Sequence, residues 1–251
     1  MLIMGILNVT PDSFADGGRH NDFDSAVARG LEMIAEGVDI IDIGGESTRP
    51  GAERVSEEEE IARTIPVITE LAKHGATISI DTMRASTAEA AVKAGASIIN
   101  DVSGGLADPE MLQTAARLQV PYIAMHWRGQ SKDMNSKAIY NDVVIDVISE
   151  LQERITAALD AGIEVGNLII DPGLGFAKDA EHNWEIIDSI DSFVDLGYPV
   201  LVGASRKRFL GGDSPDEREQ ATIDLTKRLA TTGVWAVRVH SVKPHKEVLA
   251  Q

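Results

Sequence analysis

The chain has 251 residues, 43% of them hydrophobic, with a formal net charge of −17 and no cysteine. That length suits one large domain, 1–251, with ample apolar material for a core. The acidic balance argues against nucleic acid or an anionic membrane as a partner, since both need a basic surface. Without cysteine there is no disulfide, thiolate nucleophile or Cys-ligated zinc.

The lack of cysteine also fits a reducing cytosol, so a cytoplasmic location is expected. Met1-Leu2-Ile3-Met4-Gly5 lacks the basic, apolar character of a signal peptide, and no apolar run approaches a membrane span.

In chain order, short β-branched runs alternate with amphipathic stretches. The first run, Ile6-Leu7-Asn8-Val9-Thr10, leads into a polar, Gly-containing loop. After Asp24, Val27, Leu31 and Ile34 recur at helical spacing, and Gly37 lies where a helix would stop. Ile40-Ile41-Asp42-Ile43-Gly44-Gly45-Glu46 is the second run. Ser56, with Glu59 three residues on, marks the next helix start as a capping box, and Glu57 to Glu60 complement its dipole.

Ile78-Ser79-Ile80-Asp81-Thr82 and Ile98-Ile99-Asn100-Asp101 are the third and fourth runs, and Asp108-Pro109 reads as a helix start. Pro121-Tyr122-Ile123-Ala124-Met125 is the fifth. Gly129 to Asn141 is the least regular stretch. Val144, Val147, Ile148, Leu151, Ile155 and Leu159 then form a helix ending near Gly162. Leu168-Ile169-Ile170-Asp171-Pro172-Gly173 is the sixth run, and a helix follows from Trp184 to Gly197. The seventh is Val202-Gly203-Ala204-Ser205-Arg206-Lys207, with a helix between about Pro215 and Gly233. The eighth is Val237-Arg238-Val239-His240.

Eight strand–helix units of this size predict an α/β protein with a parallel sheet closed into a single (β/α)8 barrel. A doubly wound open sheet is the alternative. Such strands are buried on both faces, and a barrel enzyme builds its site where they end. In seven of the runs the polar end carries residues suited to chemistry. Asp42, Asp101 and Ser103 are equally explained as turn and cap residues.

Asp81, Asn100 and Asp171 offer acceptors and an amide from three strands, a set that suits the edge of an amino-bearing nitrogen heterocycle. Arg238 and His240 share one face of the eighth strand, and with Asn8 they form a donor cluster suited to a phosphate or diphosphate. Magnesium held by substrate phosphates and Asn8 suits this set better than zinc, because no second His lies at ligand spacing. Phe14 and Phe176 are loop aromatics that can wall a flat substrate.

Asn8-Val9-Thr10-Pro11-Asp12-Ser13-Phe14, Gly45-Glu46-Ser47-Thr48-Arg49-Pro50-Gly51, Asp171-Pro172-Gly173, Ser205-Arg206-Lys207 and Arg238-Val239-His240, in this order, resemble the dihydropteroate synthases. So do Ser79-Ile80-Asp81-Thr82 and Asn100-Asp101, and the likeness spans nearly the whole chain. The resemblance implies a TIM barrel that joins 6-hydroxymethyl-7,8-dihydropterin diphosphate to p-aminobenzoate, giving 7,8-dihydropteroate and pyrophosphate in folate synthesis. Asp81, Asn100, Asp171 and Lys207 would hold the pterin, with Met125 and Arg238 against its faces. Asn8, Thr48, Arg49, Arg238 and His240 would hold the diphosphate, with Mg2+ on Asn8.

Phe14, Thr48, Pro50, Phe176, Ser205 and Lys207 would surround p-aminobenzoate, whose pocket sulfonamides contest. Asp12 and Asp16 would shield the pterin cation or assist proton loss, beside the catalytic Asp81, Lys207, Arg238 and His240. A homodimer is the family's usual state. Three departures stand out. Ser241 occupies a position where the family commonly carries Asp, so support of His240 is expected to weaken. The tail after His240 is short, and Gly45–Gly51 lacks the Phe-Gly insertion of some resistant relatives. Two rival functions fit the same barrel: a corrinoid-dependent pterin methyltransferase and a pterin-binding paralogue without turnover.

Overall fold

The computed structural model describes residues 1–10, 18–46, 54–130 and 134–250. Eight strands make one parallel sheet: β1 (Leu2–Asn8), β2 (Ile40–Gly44), β3 (Ile78–Asp81), β4 (Ile98–Asp101), β5 (Tyr122–Met125), β6 (Leu168–Asp171), β7 (Leu201–Val202) and β8 (Ala236–Val239). Their order is β6-β5-β4-β3-β2-β1-β8-β7. A parallel bridge between Ile170 and Val200, with Ile170 N donating to Pro199 O at 3.0 Å, joins the two ends. The sheet is thus a nearly closed barrel, and the open-sheet alternative is set aside.

Helices α1 (Gly18–Ala35), α2 (Glu57–Ala72), α3 (Ala85–Ala94), α4 (Met111–Leu118), α5 (Val143–Asp160), α6 (Ala180–Asp188), α7 (Ile190–Val194), α8 (Arg218–Leu229) and α9 (Lys243–Leu249) follow the strands. No helix among the described residues is long and apolar enough to cross a membrane.

Strand periodicity divides the core in two. Met4, Ile40, Ile98, Ile123, Ile169, Leu201 and Ala236 form one buried cluster, a plug drawn from seven strands. Their neighbours, such as Ile3, Ile41, Ile99 and Ile170, belong to a larger cluster with the helix side chains. Because alternate residues share a face, Asp42, Asn100, Met125, Asp171 and Arg238 lie on the plug's side, one step nearer the carboxyl ends. Apolar residues fill the barrel below and polar residues line it above.

Four local differences from expectation have physical causes. β1 starts at Leu2 rather than Ile6, because Leu2 N donates to Trp235 O at 2.8 Å and extends the ladder with β8. β7 is only two residues long, and past it the chain turns at Ser205 and Arg206, the latter with φ of 58°. The helix expected from Trp184 to Gly197 is two helices, broken at Ser189. Asp108 does not cap its own helix. One carboxylate oxygen receives Ala85 N at 2.8 Å, at the start of α3, and the other receives Glu110 N at 3.0 Å.

Candidate active site

Arg238, on β8, is the hub of the barrel mouth. Its Nε donates to Asp42 Oδ2 and its Nη2 to Asp81 Oδ2, each at 2.6 Å. Asn100 Nδ2 donates to the same Asp42 oxygen at 3.1 Å. Four strands, β2, β3, β4 and β8, therefore converge on one hydrogen-bonded group. Burial alone would lower the Arg238 pKa, but Asp42 and Asp81 outweigh it and hold the guanidinium firmly charged.

Asp81 is pushed up to about 7, first by burial and then by the Asp42 carboxylate, against the pull of Arg238. Asp171, at the end of β6, is also raised by burial, opposed by the Gly173 N–H that reaches its Oδ1 at 2.7 Å. Glycine shapes the surrounding wall. A Cβ at Gly203 would lie 3.8 Å from Asp171 Oδ2, and one at Gly44 would lie 3.5 Å from Asp81 Cβ.

Lys207 donates to Leu174 O, and its Nζ sits 4.6 Å from the centre of the Phe176 ring. Burial lowers its pKa to about 8, with Asp171 pulling the other way. Met125 is 4% exposed and stands opposite Asp171 in the β5–β6 register. Asn8 is half-buried at the end of β1, opposite Gly44.

His240 lies just past β8, its Nδ1 2.9 Å from Ser205 Oγ. The same hydroxyl accepts His240 N at 3.2 Å. Ser205 therefore supports the imidazole, and the Ser241 departure does not leave it adrift. Ser241 Oγ instead accepts Arg206 Nη2 at 2.8 Å, while Arg206 Nε pairs with Glu219 at 2.6 Å.

Asp81, Asn100, Met125, Asp171, Lys207, Arg238, His240, Ser205, Phe176 and Asn8 all lie at or beyond the carboxyl ends of the strands. Asp12, Phe14, Asp16, Thr48, Arg49 and Pro50 lie outside the described residues. Asp101 and Ser103 are turn-building groups. Asp101 accepts Ser103 N, Ser103 Oγ, Gly105 N and Tyr122 Oη at 2.7–2.8 Å. Asp42 differs from them: it is fully buried and holds Arg238 and Asn100. Its signal in the sequence is a carboxylate inside an otherwise apolar strand buried on both faces. His126 and Lys178, both buried, lie in loops after β5 and β6, outside the apolar strand runs.

The model of the family described as "Pterin binding enzyme" matches residues 4–240. The dihydropteroate synthase of Mycobacterium leprae is 48% identical over 257 residues, covering 98% of this chain and 90% of that one. The chain belongs to the dihydropteroate synthases.

A solved Xanthomonas albilineans dihydropteroate synthase with 4-aminobenzoic acid superposes with a TM-score of 0.93 at 43% identity, covering 99% of this chain and 90% of that one. A Yersinia pestis dihydropteroate synthase, solved as a sulfonamide drug complex, gives 0.93 at 39% identity, with 99% and 92% covered. The barrel fold and the synthase function expected from sequence are those of the family.

Proposed function

We propose that, in the dihydropteroate synthase reaction, the acid-rich side of the barrel mouth holds the pterin and the basic side its diphosphate. Asp81, Asn100, Asp171 and Lys207 bind the heterocycle's edge, and Met125 and Arg238 flank its faces. Asn8, Thr48, Arg49, Arg238 and His240 take the diphosphate. Phe14, Thr48, Pro50, Phe176, Ser205 and Lys207 form the second-substrate pocket, the site that 4-aminobenzoic acid and sulfonamides would share. The observation that carries this is the cluster of Asp42, Asp81 and Asn100 around the Arg238 guanidinium.

Breaking the carbon–oxygen bond to diphosphate leaves a pterin methylene cation. Asp81 and Asp171, fixed where that charge develops, favour the transition state over the ground state. Arg238 and His240 offset the departing anion. The arylamine nitrogen attacks the methylene carbon and then loses a proton. The amine is neutral at pH 7, so no strong base is required, and Asp12 or Asp16 can receive the proton.

Among the described residues, no group of three or more His, Cys, Asp or Glu could hold a metal ion. The Asn8 side-chain amide, at the end of β1, is an oxygen donor that suits Mg2+ carried mostly by substrate phosphate oxygens. When bound, the ion supplies positive charge to the leaving diphosphate. By family analogy the chain is proposed to work as a cytoplasmic homodimer, which analytical ultracentrifugation tests for the oligomer.

The deciding experiment mixes the protein, Mg2+ and both substrates, and follows pyrophosphate and dihydropteroate. Equal release of the two is expected. Pterin binding by calorimetry without pyrophosphate release would support the non-catalytic rival. Methyl transfer from methyltetrahydrofolate would support the other.

A further inference from the structure

One cluster of buried titratable groups has no part in the roles above. Lys178 is 8% exposed, burial lowers its pKa to about 7 against the pull of Asp171, and its Nζ meets three acceptors. These are His126 Nδ1 at 2.8 Å, Gly173 O at 3.1 Å and Phe176 O at 3.2 Å. An ammonium has three protons, so the set is complete.

His126 is 1% exposed, with its Nε2 2.9 Å from Glu150 Oε2. Burial and the adjacent Lys178 lower the His126 pKa to about 4. The neutral ring therefore accepts from Lys178 at Nδ1 and donates to Glu150 at Nε2. Glu150 is paired in turn with Arg128, whose Nε lies 3.0 Å from Oε2.

The segment these groups grip bends sharply, closed by one internal turn bond from Phe176 N to Gly173 O at 3.1 Å. Gly173, Gly175 and Ala177 have φ of 69°, 74° and 49°. For Ala177 a left-handed backbone is strained, because its Cβ crowds the following carbonyl oxygen. The hydrogen bonds from Lys178 Nζ to Gly173 O and Phe176 O offset that strain. Gly175 N adds a bond to Asn183 Oδ1 at 2.6 Å, and Tyr140 Oη adds one to Ala177 O at 2.9 Å. What the gripped segment carries is the Phe176 ring and the Leu174 carbonyl, the two groups that Lys207 meets.

We propose that Lys178, backed by His126 and Glu150, is a positioning residue for the p-aminobenzoate pocket. It fixes the Phe176 ring, and through it one wall of that pocket, without touching either substrate. This role rests on the wall assigned to Phe176 above.

The test is steady-state kinetics of Lys178→Met, which keeps the side chain's length and removes its three donors. The KM for p-aminobenzoate is expected to rise at least tenfold. The KM for the pterin diphosphate should stay within threefold, as should its affinity by calorimetry. A purely structural loss would instead lower the active fraction, and so kcat, with both KM values unmoved. That outcome, or an equal rise in both KM values, overturns the proposal.

Where Lys178→Met does not fold, His126→Leu decides. It leaves Nζ with one acceptor fewer and should raise the p-aminobenzoate KM about fivefold, with the pterin diphosphate KM within twofold. Failure of both to fold would make the cluster purely structural and reject the role. Phe176→Ala separates the two layers. An unchanged p-aminobenzoate KM there rejects the wall itself. A raised one there, with none in Lys178→Met, rejects only the role of Lys178.

Discussion

Replacing Asp42 by Asn isolates the anchor under the barrel mouth. The carboxylate is fully buried, its Oδ2 receives Arg238 Nε and Asn100 Nδ2, and its Oδ1 is buried without a hydrogen-bond partner. An amide fits the same volume and can keep an oxygen where Oδ2 lies. The bond to Arg238 then loses its ionised acceptor, a difference of about 1–2 kcal/mol. The new amide N–H falls where no acceptor waits, which adds about 1–3 kcal/mol.

Relief of repulsion between Asp42 and Asp81 offsets part of this, and a net loss of about 2–3 kcal/mol is expected, below the ~3–5 kcal/mol of a fully broken buried pair. Urea unfolding measures it. Because the same anchor orients Arg238 and Asn100, kcat/KM for the pterin diphosphate should fall about 30- to 100-fold, as ~1.4 kcal/mol corresponds to tenfold. Asp42 also helps to raise the Asp81 pKa, so the acid limb of the rate profile should move to lower pH. A stability loss under about 1 kcal/mol with kcat/KM within threefold would refute the reasoning.

The wild-type profile of kcat/KM should be bell-shaped. It rises as Asp81 ionises near 7 and falls as Lys207 loses its proton near 8, and Asp81→Asn should remove the acid limb alone. For stability the sign is opposite. The folded state keeps the Asp81 proton that the unfolded chain releases from about 3.8, so this contribution is full below 3.8 and is lost as pH rises through about 7. Denaturation at pH 4 and pH 8, with and without Asp81→Asn, reads that difference. Sulfamethoxazole should compete with p-aminobenzoate and not with the pterin diphosphate. Unchanged turnover at saturating drug and limiting p-aminobenzoate would reject sensitivity.

Local sequence determined the strands, most of the helices and the chemistry at the strand ends. A run such as Ile40-Ile41-Asp42-Ile43 states its burial without outside help, because alternate side chains face opposite sides and here both sides carry isoleucine. The residues around Asp81, Asn100, Asp171, Lys207 and Arg238 were legible from position: each interrupts an apolar run or lies in the polar segment that ends one. Partnership was not legible. Asp42 looked like a turn residue until closure of the barrel set β2 and β8 on either side of β1 and placed its carboxylate on Arg238.

Asp108 has a strong local motif, yet it caps α3 rather than α4. Lys178 and His126 are 52 residues apart and sit in loops that carry no periodic signal. Such contacts depend on the register of eight strands and on which loops that register brings together. Hydrophobic periodicity decides only which way each side chain points. Where it lands is set by long-range pairing, and that information belongs to the closed sheet.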